Sequence, residues 1–197
     1  CIPNGSIFES AYDSRGRLTS ERDAYGNVTS YSYDGLDRLV SVTDALNGTW
    51  RYAYDELGNV TRVTDAKGNV TRYGYEYTDT GLVVTVTNAL NQKATTKYDL
   101  YGRVAYSVDF GGTQTDYEYD SYDRVKKVTV NGEVTEYSYD DKGNIPKVVD
   151  PSGTIKYDYY GNGFLSTVTN AKGNKISYEY NDGYQLSKIS IDNKDIS

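Results

Sequence analysis

The chain has no histidine, no methionine, one cysteine, one tryptophan and three prolines in its 197 residues. Without histidine the commonest general base, the commonest metal ligand and most nucleophilic triads are gone. A lone cysteine, Cys1, supplies neither an internal disulfide nor zinc-finger spacing. At position 1 it reads as frayed and incidental rather than as a reactive thiol. No apolar run approaches the ~20 residues that cross a bilayer as a helix. There is no basic stripe either. Lys and Arg number 21 against 28 Asp and Glu, interspersed, for a formal charge of −7 and a pI near 4.7. Nucleic acid and anionic membranes are therefore poor partners. No secretory signal shows, and with no initiating methionine the sequence reads as a piece of a longer polypeptide.

What is abundant is tyrosine, 23 residues, beside 19 glycines. With aliphatic content modest, much of the apolar burial must come from phenol rings with a wet tip. Tyr, Thr and Val with frequent Gly suit an all-β chain rich in tight turns. Tyr12, Tyr33, Tyr54, Tyr77, Tyr98, Tyr119, Tyr139, Tyr159 and Tyr180 recur at intervals of 20–23 residues, each at the entry to a turn. A fixed period near 20 marks one supersecondary unit copied along the chain, buried mainly against its neighbours.

One repeat is clearest at residues 52–75. Its turns run from Asp55 to Gly58 and from Asp65 to Gly68. Asp at the first corner can accept backbone N–H bonds, and Gly at the fourth takes the left-handed conformation. A type I turn followed by such a Gly is a common hairpin connection. The signature recurs at Asp13 to Gly16, Asp23 to Gly26, Asp140 to Gly143 and Asp150 to Gly153, and with Asn at Asn170 to Gly173. Between turns lie short strands. In pairs such as Tyr31/Tyr33, Tyr52/Tyr54 and Tyr117/Tyr119 both rings point to one sheet face, and equivalent tyrosines of successive repeats are expected to stack into ladders. The aliphatic positions, such as Val60/Val63 and Leu165/Val168, are three apart rather than two. Either both faces are partly covered or a bulge shifts the register. Two strands per repeat imply seventeen or so strands and a ribbon on the order of 80 Å long. A sheet of that width twists and curls. The expected fold is all-β: a single domain over 1–197, about nine repeats, of stacked antiparallel hairpins in a curved or spiralling sheet.

The unit Tyr-x-Tyr-Asp-x-x-Gly-Arg/Asn-Leu/Val, seen at Tyr31 to Leu39, Tyr52 to Val60, Tyr117 to Val125 and Tyr137 to Ile145, resembles the tyrosine–aspartate repeat of the Rhs family. Its core is clean at 12–17, 54–59, 98–103 and 139–144. Asp37 and Asp123 replace the Gly, and Tyr77 and Tyr159 lack the following Asp. The resemblance covers essentially the whole chain. It implies a long spiralling sheet that can close into a hollow shell around a toxic C-terminal domain, as in bacterial polymorphic toxins and the C components of insecticidal toxin complexes. Wall-associated bacterial proteins and the animal teneurins carry similar arrays. This stretch is too short to close a chamber and carries one Asp-Pro-x-Gly motif, Asp150 to Gly153, where the family's cleavage region has a pair. Pro at the second corner of a turn needs no catalytic reason.

The residues expected to define the repeat are Tyr12, Asp13, Gly16, Tyr33, Asp34, Tyr54, Asp55, Gly58, Tyr98, Asp99, Gly102, Tyr119, Asp120, Tyr139, Asp140 and Gly143. Their aspartates are periodic, whereas a catalytic carboxylate pair is singular. A calcium loop concentrates several carboxylates, and these turns carry about one each. No catalytic, metal or cofactor site is therefore expected. Sequons at Asn27, Asn47, Asn59 and Asn69 follow from turn Asn plus strand Val-Thr or Gly-Thr. Trp50 is a packing residue or, speculatively, a sugar-stacking spot. Two functions compete. One is a non-enzymatic wall of an exported or cell-surface bacterial protein, with neighbouring repeats and a C-terminal effector as its partners. The other is a surface adhesin that recognises glycan, although glucan-binding hairpin repeats are richer in Trp. Unpaired end strands invite edge-to-edge self-association, visible as concentration-dependent species in sedimentation unless Pro3 and the Lys/Asp tail at 192–195 blunt them.

Overall fold

The computed structural model describes residues 9–192 and 194–196. Cys1 and Pro3 lie outside that range. The described chain divides into two compact units, one running to Gly102 and including Asp109–Gly111, the other formed by Arg103–Val108 and the chain from Gly112 onward. The regular elements of both are strands, with no helix among the described residues.

The first unit contains β1 (Glu9–Tyr12), β2 (Leu18–Arg22), β3 (Val28–Tyr33), β4 (Leu39–Thr43), β5 (Thr49–Tyr54), β6 (Val60–Thr64), β7 (Val70–Thr78), β8 (Gly81–Thr87) and β9 (Lys93–Tyr98). Each pairs antiparallel with the next. The second contains β10 (Val104–Val108), β11 (Gln114–Tyr119), β12 (Val125–Val130), β13 (Glu133–Ser138), β14 (Lys147–Asp150), β15 (Gly153–Tyr159), β16 (Leu165–Thr169), β17 (Lys175–Tyr180), β18 (Leu186–Ile191) and β19 (Lys194–Ile196), again paired in chain order. This is the expected array of antiparallel hairpins.

Residues directly opposed across a ladder share a face. In the first unit Tyr31 opposes Val42, and Val42 opposes Trp50 from the other side. Tyr52 opposes Val63, and Tyr73 opposes Val86. The alternate positions place Ser32, Ser41, Arg51, Arg62 and Arg72 on the other face. The tyrosine face of β3 and β5 is half-buried and the polar face exposed. No apolar residue among those described is fully buried. Burial is lateral, side chain against the next side chain in the row.

The three-residue aliphatic spacing is a bulge. Tyr52 opposes Val63 while Tyr54 opposes Val60, so one extra residue, Thr61, is accommodated on β6. The same shift occurs before Tyr12, Tyr33, Tyr119, Tyr159 and Tyr180. It lets a pair spaced by two face a pair spaced by three without turning either away from the apolar face. The β7–β8 hairpin has no bulge: Tyr73, Tyr75 and Tyr77 oppose Val86, Val84 and Leu82 in strict alternation. It is also longer, β7 having nine residues against six in β5.

The tyrosines do not form uninterrupted ring ladders. The anchor tyrosines sit on every second strand, and with strands ~4.8 Å apart successive rows are about 10 Å apart, with Val42 or Val63 between them in the first unit. Direct ring–ring contacts join Tyr160, Phe164, Tyr180 and Tyr184.

The turn glycines serve two physical purposes. Gly16, at φ 79°, has open space where a Cβ would stand. Gly81, at φ 124°, has the Tyr98 carbonyl there, and at Gly153 the Ala171 Cβ would lie 2.7 Å away. Asp150–Gly153 accordingly differs from the other Asp-x-x-Gly turns: Asp150 and Gly153 pair as strand ends around Pro151-Ser152. Gly16→Ala is expected to lose about 1–2 kcal/mol from left-handed backbone alone. Gly81→Ala should lose upwards of about 3 kcal/mol, because backbone must move. Urea unfolding with amide exchange along β8 and β9 checks this, and equal losses for the two variants would refute it.

Candidate functional site

The first turns that carry the aspartate are built on it. In the turn after Tyr12, the Gly16 N–H donates to the Asp13 carbonyl at 3.0 Å. Asp13 Oδ1 accepts the N–H groups of Arg15 (2.8 Å) and Arg17 (3.0 Å). Its Oδ2 accepts Arg17 Nε at 2.7 Å. Asp34 with Arg38 and Asp120 with Arg124 repeat this arrangement. Where Asn follows the turn glycine, its Nδ2 takes the arginine's place on Oδ2, as in Asp55–Asn59 and Asp140–Asn144. The Gly102 N–H likewise donates to the Asp99 carbonyl at 3.0 Å. The left-handed corner is kept by Gly58, Gly102 and Gly143, and also by Asp37 (φ 63°) and Asp123 (φ 61°), which stand in place of glycine.

The arginine then crosses to the next repeat. Arg38 Nη1 donates to the Asp55 carbonyl at 2.9 Å, and its guanidinium lies 4.8 Å from the Tyr54 ring centroid. Arg17 reaches the Asp34 carbonyl (3.0 Å) and Asp37 Oδ1 (2.7 Å), over Tyr33. Arg103 covers Tyr119 and pairs with Asp123, and Arg124 covers Tyr139 at 4.3 Å. The anchor tyrosine's hydroxyl donates backwards. Tyr54 reaches the Leu39 carbonyl (2.7 Å), Tyr119 that of Val104 (2.8 Å), Tyr139 that of Val125 (2.7 Å) and Tyr159 that of Ile145 (3.0 Å).

The acceptor carbonyls are set by strand register. β4 and β5 pair only from Ser41/Arg51 to Thr43/Thr49, so Leu39 lies beyond the end of the ladder. The tyrosine hydroxyl supplies the donor that the neighbouring strand no longer does. In β7 it is Tyr75, not Tyr77, that makes this bond, to the Val60 carbonyl at 3.0 Å. Counted from Tyr75 the first intervals are all 21 residues, and the two additional residues fall in the extended β7–β8 hairpin. Tyr77, read from sequence as an anchor, belongs to that extension. Tyr98 opposes Leu82 across the full β8–β9 ladder.

The predicted tyrosines and turn aspartates meet across successive repeats through the arginine between them, as Arg38 joins Asp34 to Tyr54 and the Asp55 carbonyl, while the turn aspartates stay one per turn. No cluster of three or more metal-ligating side chains occurs among the described residues. Trp50 is half-buried opposite Val42 in the row of Tyr52 and Tyr54. The residue that follows the turn glycine, which links one repeat to the next, carried no assigned role from sequence. Its signal was there: Arg or Asn four positions after the aspartate.

Hydrogen bonds from the Arg17 side chain and backbone hold Asp13 below its ordinary value of 3.8, and the Asn partner does the same for Asp23, Asp55, Asp65 and Asp140. A depressed carboxylate contributes stability above its unfolded value and loses it as pH falls through the folded one. Thermal stability should therefore hold down to about pH 4 and decline below 3.8, and Asp55→Asn should flatten that decline; an acid limb unchanged in the variant would contradict the assignment. Separately, Tyr54→Phe is expected to cost about 1 kcal/mol through the lost hydroxyl bond. Arg38→Ala should cost about 1–2 kcal/mol through its carbonyl, carboxylate and ring contacts. Because the two residues touch, the double mutant should lose less than the sum; strict additivity in urea titrations would show that they act independently.

The family model described as RHS Repeat matches residues 12–49, 34–70, 54–76 and 119–155, just over half of the chain. No curated protein sequence matches. Among solved structures, the Photorhabdus luminescens Tc holotoxin pore is similar over 96% of this chain and 15% of its own, at 14% identity and a TM-score of 0.59. The TcdB2–TccC3 complex is similar over 93% of this chain and 15% of its own, at 14% identity and a TM-score of 0.58. The same complex without its hypervariable C-terminal region is similar over 93% and 15%, at 15% identity and a TM-score of 0.56. The chain spans about 15% of the length of these structures, and at such identity they share its fold. The chain belongs to the RHS repeat family.

Proposed function

We propose that this chain is a non-enzymatic wall segment of an exported RHS repeat protein, and that the wall holds or displays an effector lying C-terminal to the array. The observation that carries this reading is the contact repeated between hairpins: arginine over the next tyrosine, tyrosine hydroxyl onto the preceding carbonyl. It recurs from repeat to repeat within both units and singles out no residue for chemistry. Polar side chains on one face and tyrosine and valine on the other suit a partition between two environments. The fold shared with TcdB2–TccC3, one form of which lacks a hypervariable C-terminal region, supports an array that precedes a variable domain. On this reading residues 1–197 form one repeat domain, and the tyrosines, turn aspartates and turn glycines are structural. Trp50, half-buried opposite Val42 in the row of Tyr52 and Tyr54, is on this reading a packing residue of the wall rather than a glycan platform.

The longer polypeptide that contains this segment supplies the test. Its C-terminal domain is expected to resist a protease that cleaves the same domain when free. Replacing Arg17, Arg38, Arg103 and Arg124 together by alanine should expose it. A C-terminal domain cleaved equally fast in both settings would remove the enclosing role.

A further inference from the structure

One repeat puts aromatic rings at both key positions of its turn. At the turn after Tyr159, Tyr160 stands where the aspartate belongs and Phe164 where the arginine belongs. Phe164 stacks on the next anchor ring, Tyr180, with centroids 4.9 Å apart and planes at 23°. Tyr160 meets Tyr180 edge-on at 6.2 Å and donates its hydroxyl to the Tyr178 carbonyl at 2.9 Å. Tyr184 leans on Phe164 at 5.7 Å. Its backbone sits at φ 61°, a left-handed corner that other turns give to Gly, Asp or Asn. For a bulky residue that conformation is unusual, and it is held because the surroundings require it.

These rings border an open cavity of about 670 Å³, lined also by Asn162, Glu179 and Asp182. No basic side chain lines it. Glu179 is paired with Lys188 at 3.6 Å, and Lys142 Nζ caps the Gly161 carbonyl at the rim, 3.1 Å away. Asp182 makes no ion pair with another described residue.

We propose that this cavity binds an organic cation, a guanidinium or alkylammonium group, supplied from outside the chain. The array itself defines the chemistry. At Tyr33, Tyr54, Tyr119 and Tyr139 the anchor ring is covered by a guanidinium 4.3–4.9 Å from its centroid. At Tyr180 Phe164 takes the guanidinium's place over the ring, and the space beside it is bordered by the phenol rings of Tyr160 and Tyr184 and the carboxylates of Glu179 and Asp182. A cation among several tyrosines is attracted to the negative faces of the rings, and Asp182 is its counter-ion. The inference is independent of whether the array encloses an effector.

The test is a titration of the 197-residue chain, with labelled tyrosine rings followed by NMR, against ethylguanidinium chloride and tetramethylammonium chloride at constant ionic strength. Saturable shifts confined to Tyr160, Tyr180 and Tyr184 are expected, with half-saturation on the order of 1–10 millimolar for so small a probe. Tyr184→Gly accepts the left-handed corner, so the fold is retained, as unchanged Tyr52 and Tyr54 resonances would report. Binding should weaken at least fivefold, and severalfold in Asp182→Asn. The proposal is overturned by non-saturating or chain-wide shifts, by undiminished binding in Tyr184→Gly, or by methyl glucoside binding at these rings as tightly as the cations.

Discussion

The hydrogen bond from an anchor tyrosine to a carbonyl beyond the end of the neighbouring ladder is the interaction on which the array depends. At most junctions adjacent hairpins share only three or four backbone pairs before their strands part, against six between β8 and β9. Beyond that point a carbonyl such as that of Leu39 has no partner on the next strand, and the hydroxyl of Tyr54 takes it. The ring fills the gap and the preceding arginine roofs the ring. In an ordinary domain a buried core would hold these layers together. Here, where no described apolar residue is fully buried, cohesion comes from nearest neighbours alone.

The same economy explains the charge pattern. Turn aspartates are consumed locally, accepting two backbone N–H groups on one oxygen and an Arg or Asn side chain on the other. Carboxylates fixed in this way are acceptors at pH 7 and are poorly placed to act as acids or metal clusters. Surface ion pairs contribute little in isolation. These are useful because each is also geometric, fixing the turn and aiming the arginine at the next repeat. A wall assembled from such units can be lengthened or varied one hairpin at a time.

Where a repeat breaks the local rule, its neighbours show the compensation. Asp37 and Asp123 occupy a corner better suited to glycine, and both receive an arginine from the preceding repeat. The β7–β8 hairpin gives up the bulge and lengthens instead, and its turn glycine admits the Tyr98 carbonyl. Around Tyr180 aromatic rings replace the salt-bridged turn altogether. This last repeat borders an open cavity lined by Glu179 and Asp182.

Period, strand identity, turn chemistry and the one-face placement of Tyr52 and Tyr54 were legible in the amino-acid order, because each follows from residues a few positions apart. Valines spaced by three were ambiguous there: a bulge or two covered faces fit equally well, and only pairing with the neighbouring strand selects the bulge. The arginine's reach was hidden for the same reason. Arg38 and Tyr54 are 16 positions apart and meet only because antiparallel folding returns the chain alongside itself. Tyr77 looked like an anchor by its spacing, yet hydrogen bonding gives that role to Tyr75. The sequence by itself therefore determined what each repeat is, since local chemistry decides turns and strands. Tertiary structure decided how repeats are fastened, since register is a property of two strands and not of one.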